Sequence, residues 1–194
     1  MFTVGSQATR SQIVEAADDL FYKRGFESTS FADIADVVKI SRGNFYYHFK
    51  TKDDILDAVI ERRIASTRTM LEQWEAEEDS PSARICAFIR ILITNRTAIM
   101  LYGCPVGTLC EELAKLDHAG QAGAVKIMDL FRVWLRGQFE QLGCGKDADE
   151  FALRVLGWSQ GAATLSAAFR DEAFIRRDVA RMCAWVDQVA GKGD

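Results

Sequence analysis

Between Lys39 and Lys52 the chain places four cations, Lys39, Arg42, Lys50 and Lys52, and no acid. Ser41, Asn44, Tyr46, Tyr47 and His48 lie in the same window. All five can hydrogen-bond phosphate oxygens or base edges. The window therefore carries the chemistry of nucleic-acid binding. The 194-residue chain has a net charge of −4, so the +4 of this window leaves −8 elsewhere. That balance excludes a histone-like binder that coats nucleic acid through overall charge.

Other chemistries have less support. Cys104 as nucleophile with His118 as base is the one enzymatic pairing to weigh, and no acid is placed by sequence to orient His118. There are five cysteines without a CxxC and only two histidines, which argues against a zinc site. No GxGxxG or GxxxxGK[ST] occurs, so no nucleotide cradle and no cofactor is expected. No run of about 18 uncharged apolar residues is present, so no membrane partner is expected. MFTVGSQATR has no signal-peptide pattern, and the cysteines read as reduced thiols of a cytoplasmic protein.

The elements that must position the basic window read as helices. Only two prolines occur, and 48% of residues are hydrophobic against 27% charged. That is the composition of a folded, mostly helical chain rather than a disordered one. Thr9 with Gln12 forms a capping-box pattern ahead of Ile13, Ala16, Ala17, Leu20 and Phe21. Gly25 follows Lys23 and Arg24 as a stop, with Phe26 as the apolar residue beyond it. Ser30, with Asp33 three residues on, caps a short helix that buries Phe31, Ile34, Ala35 and Val38 and ends near Lys39. Ser41 caps a third helix, Arg42 to Phe49, with Phe45 and Phe49 on one face and Arg42, Gly43, Tyr46 and Tyr47 broadly opposite. Two short helices across a tight turn form a helix-turn-helix, whose second helix enters the major groove.

Thr29-Ser30-Phe31-Ala32-Asp33-Ile34-Ala35 followed by Ile40-Ser41-Arg42-Gly43-Asn44-Phe45-Tyr46-Tyr47-His48-Phe49-Lys50-Thr51-Lys52 resembles the DNA-binding domain of the tetracycline-repressor (TetR) family over about residues 9 to 60. The resemblance implies an all-α protein of about nine helices. Residues 1–52 would be a three-helix DNA-binding domain and residues 53–194 a helical ligand-binding and dimerisation domain. It implies a homodimer on double-stranded operator DNA, with a small-molecule effector that releases it. By matching position, Arg42 reads guanine and Asn44 is a second base reader, while Gly43 permits close approach. Ser41, Tyr46, Tyr47, His48 and Lys52 fall among the contacts, most of them to phosphate. Thr29 and Ser30 cap the supporting helix and offer backbone N–H groups to phosphate. Lys39 stands where many relatives have glycine.

Beyond residue 52 the apolar spacing gives longer helices. One begins after Thr51, one at Ser80-Pro81, one at Pro105, one near Ala119, one at Asp147 and one near Phe174. Tyr102-Gly103-Cys104-Pro105-Val106-Gly107 must break a helix. It resembles a family branch in which a Gly-Cys pair precedes the sixth helix and some members sense electrophiles. Tyr102, Cys104 and Trp134 are the candidates for ligand contact or sensing. Cys86, Cys144 and Cys183 read as packing residues, and His118 as an exposed loop residue. Trp158, Gly161, Leu165 and Trp185 are the candidates for the dimer face. Gly157, Ala162, Ala163, Ser166 and Ala167 give small contacts, with Ile175, Val179, Met182, Val186 and Val189 on the last helix. A domain docking on a protein partner instead of a small ligand is the alternative.

Overall fold

A computed structural model describes residues 4–191. Ten α-helices account for most of them: α1 (Val4–Arg24), α2 (Phe31–Val38), α3 (Arg42–His48), α4 (Lys52–Glu77), α5 (Pro81–Thr94), α6 (Arg96–Tyr102), α7 (Pro105–Lys115), α8 (Gln121–Gln141), α9 (Ala148–Phe169) and α10 (Glu172–Ala190). A single 3-10 turn, Gly145–Asp147, precedes α9. The chain divides into two compact units. One holds the chain up to Ala65 together with Thr108–Lys126, and the other holds Ser66–Gly107 with the chain from Ile127 onward.

The caps that start and stop the short helices are local and sequence-encoded. Gly25 takes φ +92, a left-handed value that a β-carbon disfavours, and its N–H closes the last turn of α1 on the Phe21 carbonyl. Ser30 and Asp33 complete a reciprocal capping box at α2. Thr51 and Asp54 do the same for α4, since the Asp54 N–H donates to Thr51 Oγ1 and the Thr51 N–H to Asp54 Oδ2. Lys39 ends α2 in the left-handed region at φ 56, the conformation that glycine would adopt without strain.

Some expectations are corrected. The α1 helix starts at Val4, so Thr9 lies inside it and is not a cap. The run before Ile13 is polar, and apolar periodicity therefore places the helix start too late. The helix expected from Ser80-Pro81 also contains a break, at the polar stretch Thr94-Asn95-Arg96-Thr97. Asn95 terminates α5 at φ −100, ψ 12 and α6 begins at Arg96.

In the first unit the apolar faces of α1, α2 and α3 close on the beginning of α4. Ile13, Phe21, Ile34, Phe45, Ile55 and Val59 are buried in one cluster, with Leu109 and Leu113 of α7 among them. Arg62 and Arg63 tie α4 to α1, reaching Asp18 at 2.8 and 2.7 Å. In the second unit α10 lies along α5 and α9. Ile85, Ile89, Val179, Met182 and Val186 fill its interior.

The caps make a pH prediction. The Asp33 carboxyl is held below the ordinary aspartate value, first by the Ser30 hydroxyl and then by the Ser30 N–H. Asp54 is held low first by the Thr51 N–H and then by the Thr51 hydroxyl. Both values are depressed on folding, so the stabilisation is complete above the unfolded value and is lost as pH falls through the folded one. The thermal midpoint is expected to fall more steeply below about pH 4 in the wild type than in an Asp33→Asn/Asp54→Asn double variant. Parallel acid titrations of the two melts would contradict this.

Candidate nucleic-acid interface

The candidate surface is built from α3 outward. Seven residues make fewer than two turns, too few to be stable alone in water. Two things hold α3. Ser41 takes an extended conformation and its hydroxyl accepts the Asn44 N–H, which satisfies one of the free donors at the helix start. Phe45, 1% exposed, and Phe49, 2% exposed, then pin the inner face into the core. Phe31 supports them, with its ring 5.1 Å from that of Phe45.

With that face committed, the opposite one is open. Ser41, Arg42, Gly43, Asn44, Tyr46 and Tyr47 are all exposed, Tyr47 to 60%. Nothing stands within 4 Å of where a side chain on Gly43 would begin, so its backbone is approachable. Tyr46 leans edge-on against Phe31 at 5.5 Å, and Tyr47 lies edge-on to His48 at 5.1 Å. His48 is half-buried and its Nδ1 has no hydrogen-bond partner. Lys50 reaches back to the Tyr46 carbonyl.

Two expected contact residues sit differently from the rest. Thr29 is 1% exposed. Its Oγ1 donates to the Gly25 carbonyl at 2.7 Å and its N–H to Phe26 at 3.2 Å. It therefore holds the turn from inside, and Ser30 alone caps α2. The Ser30 N–H is likewise taken up, by Asp33 at 2.8 Å. Lys52 directs its ammonium to the Phe26 and Glu27 carbonyls, at 3.0 and 3.2 Å, and lies 4.3 Å over the Phe26 ring. An open groove runs beside these groups, lined by residues 27–31 with Thr51 and Lys52.

Sequence reasoning missed the contribution of the segment after residue 107. Leu109 and Leu113 are core residues of the first unit, and Glu112 beside them binds the α1–α2 turn. His118 is half-buried, not exposed. Its ring lies 5.0 Å from Phe26, Nδ1 accepts the Gly120 N–H, and Nε2 is 3.4 Å from Asp53. No periodic signal marks the contacts of Glu112 and His118 with residues 26, 27 and 53, because they join positions more than 60 apart.

The second unit places the remaining candidates. Cys104 Sγ accepts from the Gly107 N–H and from Gln160, both at 3.5 Å. Tyr102 ends α6 and is half-buried. Trp134 donates to Glu75 at 2.8 Å and stands 5.7 Å from Trp74, beside Phe88 and Phe131. Gln138 is 2% exposed and its Oε1 has no partner. Along α9, Gly157, Trp158, Gly161, Leu165 and Phe169 face outward, while Ala162, Ala163 and Ser166 face inward. Trp185 meets Trp158 edge-on at 5.4 Å. Ile175, Val179, Met182 and Val186 are buried in the core of this unit, so the outward face of α10 is largely charged and polar, with Arg176, Arg177, Arg181, Asp187 and Gln188 beside Ala173, Ala180 and Ala184. Among the described residues, no three His, Cys, Asp or Glu side chains are grouped to hold a metal ion, and no single helix is long and apolar enough to cross a membrane.

Residues 13–59 match the family model "Bacterial regulatory proteins, tetR family". An HTH-type transcriptional regulator of Lactococcus lactis is 32% identical over 112 residues, 57% of each chain. The regulator TtgR of Pseudomonas putida is 45% identical over 74 residues, 38% of this chain and 35% of its own. The chain thus spans little more than half the length of the first of these and about a third of the second. A TetR transcriptional regulator from Legionella pneumophila superposes with a TM-score of 0.80 at 23% identity, covering 97% of both chains. The reduced form of Escherichia coli NemR does so at 0.76 and 18%, covering 90% of this chain and 95% of its own. The fold is the all-α TetR fold, with an amino-terminal helix-turn-helix and a carboxy-terminal helical region. The matched family is one of transcriptional regulators rather than enzymes.

The two faces of α3 should separate in a thermal melt. Phe45→Ala is expected to cost about 3–5 kcal/mol of stability, as for other fully buried phenylalanines. Tyr47→Ala should stay within about 0.5 kcal/mol of wild type. Equal losses would place both rings in the core.

Proposed function

We propose, from the premise that residues 13–59 are a DNA-binding head of the tetR family of bacterial regulators, that this chain is a homodimeric transcriptional repressor. It binds a palindromic operator and is released by a small molecule. The observation that carries this reading is the division of α3. Its apolar side is sealed in the core, while Arg42, Gly43, Asn44 and Tyr47 are exposed on the other side, in a window that also carries Lys39, Lys50 and Lys52. Arg42 reads a guanine edge and Asn44 a neighbouring base. Ser41, Tyr46, Tyr47 and His48 meet the sugar-phosphate backbone, with Ser30 and Lys52 bordering the groove beside α2. Thr29 serves from within, as a brace of the turn.

Two identical heads fit a palindrome, because the symmetry of the protein is mirrored in its site. The outward stripe of α9 supports a dimer. Trp158, Leu165 and Phe169 are exposed to 37, 42 and 73%, with Gly157 before them and Gly161 among them to allow close helix approach. The effector is placed in the helices after α4. There, against Trp74 near the end of α4, Trp134 and the spare carbonyl of Gln138 suit an aromatic ligand that carries a hydrogen-bond donor. Tyr102 and Cys104 offer a second point of response, and an electrophile would act there by alkylating Cys104.

Selection of duplexes from a random-sequence pool by the full-length protein should return an inverted repeat. Recovery of unrelated sequences would oppose the reading. With that duplex, Arg42→Ala should lose about 1–3 kcal/mol of discrimination at one base position per half-site, while Lys52→Ala should weaken all duplexes alike. Leu165→Glu should sediment as a monomer, and a dimer persisting in that variant would move the interface off α9. Cys104→Ser should keep duplex binding and lose release by a thiol-reactive compound; unchanged release would end the electrophile role.

A further inference from the structure

The α1–α2 turn is gripped from two sides by opposite charges. On one side Glu112 of α7 accepts two successive backbone donors, Phe26 N–H at 2.9 Å and Glu27 N–H at 3.0 Å. On the other, the Lys52 ammonium takes the carbonyls of the same two residues. The intervening peptide dipoles therefore run from cation to anion in their favourable sense. Hydrogen bonds to a charged partner are about twice as strong as neutral ones. Gly25 makes the arrangement possible in two ways. Its φ of +92 turns successive N–H groups toward one side. A β-carbon there would lie 2.8 Å from Glu112 Oε1. The segment held in this way is not remote from the DNA-facing groups, because residues 27–31 and Lys52 form the wall of the groove beside the start of α2.

We infer that Glu112 is a positioning residue for DNA binding: through its paired hydrogen bonds it fixes the α1–α2 turn, and with it the start of α2, at the height where the groove receives a backbone phosphate. This rests on the DNA-binding reading above. Glu112 itself touches no DNA, and its charge, taken alone, opposes binding. Its removal is therefore expected to weaken binding even though it makes the protein less acidic, which sets positioning apart from simple electrostatics. Leu109 and Leu113 anchor α7 independently, being 4% and 0% exposed, so neutralising Glu112 leaves the helix in place.

The test uses the full-length protein, the E112Q variant and the inverted-repeat duplex selected by the wild type. Duplex affinity of E112Q should fall about tenfold at moderate salt, and the slope of log affinity against log salt should drop by about one per head as a phosphate contact is lost. The thermal midpoint should change little. In the free protein, amide exchange at Phe26 and Glu27 should be slow in the wild type and fast in E112Q. A lowered midpoint with an unchanged salt slope would show a merely structural role and overturn the inference, as would wild-type affinity and slope in E112Q. Should E112Q not fold, the wild type decides alone, since Phe26 and Glu27 amides exchanging at the rate of open turns would overturn the inference. A wild type that selects no duplex overturns the DNA-binding reading and this role with it.

Discussion

A helix of seven residues cannot hold its shape in water, and α3 must nevertheless present side chains at fixed positions. The burial of Phe45 and Phe49 resolves this conflict, and much of the head is arranged to provide the site for those two rings. The α2 helix supplies Phe31 and Ile34, α1 supplies Ile13 and Phe21, and the start of α4 supplies Ile55 and Val59. Burying a phenylalanine side chain contributes about 1.5–3 kcal/mol. Two of them outweigh what the Ser41 cap alone, at about 1 kcal/mol, could do for so short a helix. The commitment of one face to the core is also what frees the other. Tyr46 and Tyr47 are exposed because helical geometry turns them away from the positions that Phe45 and Phe49 must take.

The charge pattern works in the same direction. Arg62 and Arg63, cations at the far end of the first unit, are consumed by Glu15 and Asp18. The basic window contains no acid of its own. Asp33 and Asp54 lie close to it in sequence, but each is spent on a cap, where its negative charge meets backbone N–H groups at a helix start. A net charge of −4 is therefore compatible with a locally positive surface on the first unit. The −8 carried elsewhere discourages non-specific adhesion to DNA.

Local features were legible in the sequence and long-range ones were not. Ser30, Asp33, Ser41, Thr51 and Gly25 were readable because a cap or a stop is decided within four residues. The apolar stripe of α3 was readable because its period is helical. The polar start of α1 was not, since helix propensity without an apolar face leaves no periodic trace, and the break at Asn95 was missed because the polar stretch Thr94-Asn95-Arg96-Thr97 carries neither glycine nor proline to mark a stop. On α10, periodicity correctly gave Ile175, Val179, Met182 and Val186 one face. It could not say whether that face meets this chain or a second copy, and it meets this chain. Thr29 was misread for a related reason. Thr29 and Ser30 stand side by side before α2, and only the backbone decides which hydroxyl caps the helix and which turns inward.

Glu112 shows the limit of local reasoning most clearly. Nothing in Val106-Gly107-Thr108-Leu109-Cys110-Glu111-Glu112-Leu113 distinguishes one glutamate from the other, since both sit on an amphipathic helix and both read as solvated. The difference is angular. Glu112 lies one residue before Leu113 and three after Leu109, on the flank of the buried stripe, whereas Glu111 projects into water. From that flank a carboxylate reaches a turn that lacks a β-carbon at Gly25 and presents two N–H groups together. The glycine was read as a helix stop, which it is. A stop requires only the left-handed conformation, which Lys39 also adopts at the end of α2. At Gly25 the added requirement is space, and that requirement exists only because Glu112 arrives from a distant helix to bind Phe26, 86 residues away in sequence. Glycine and glutamate thus form one feature that neither reveals separately. An asparagine at position 25 would satisfy the backbone and still displace the carboxylate.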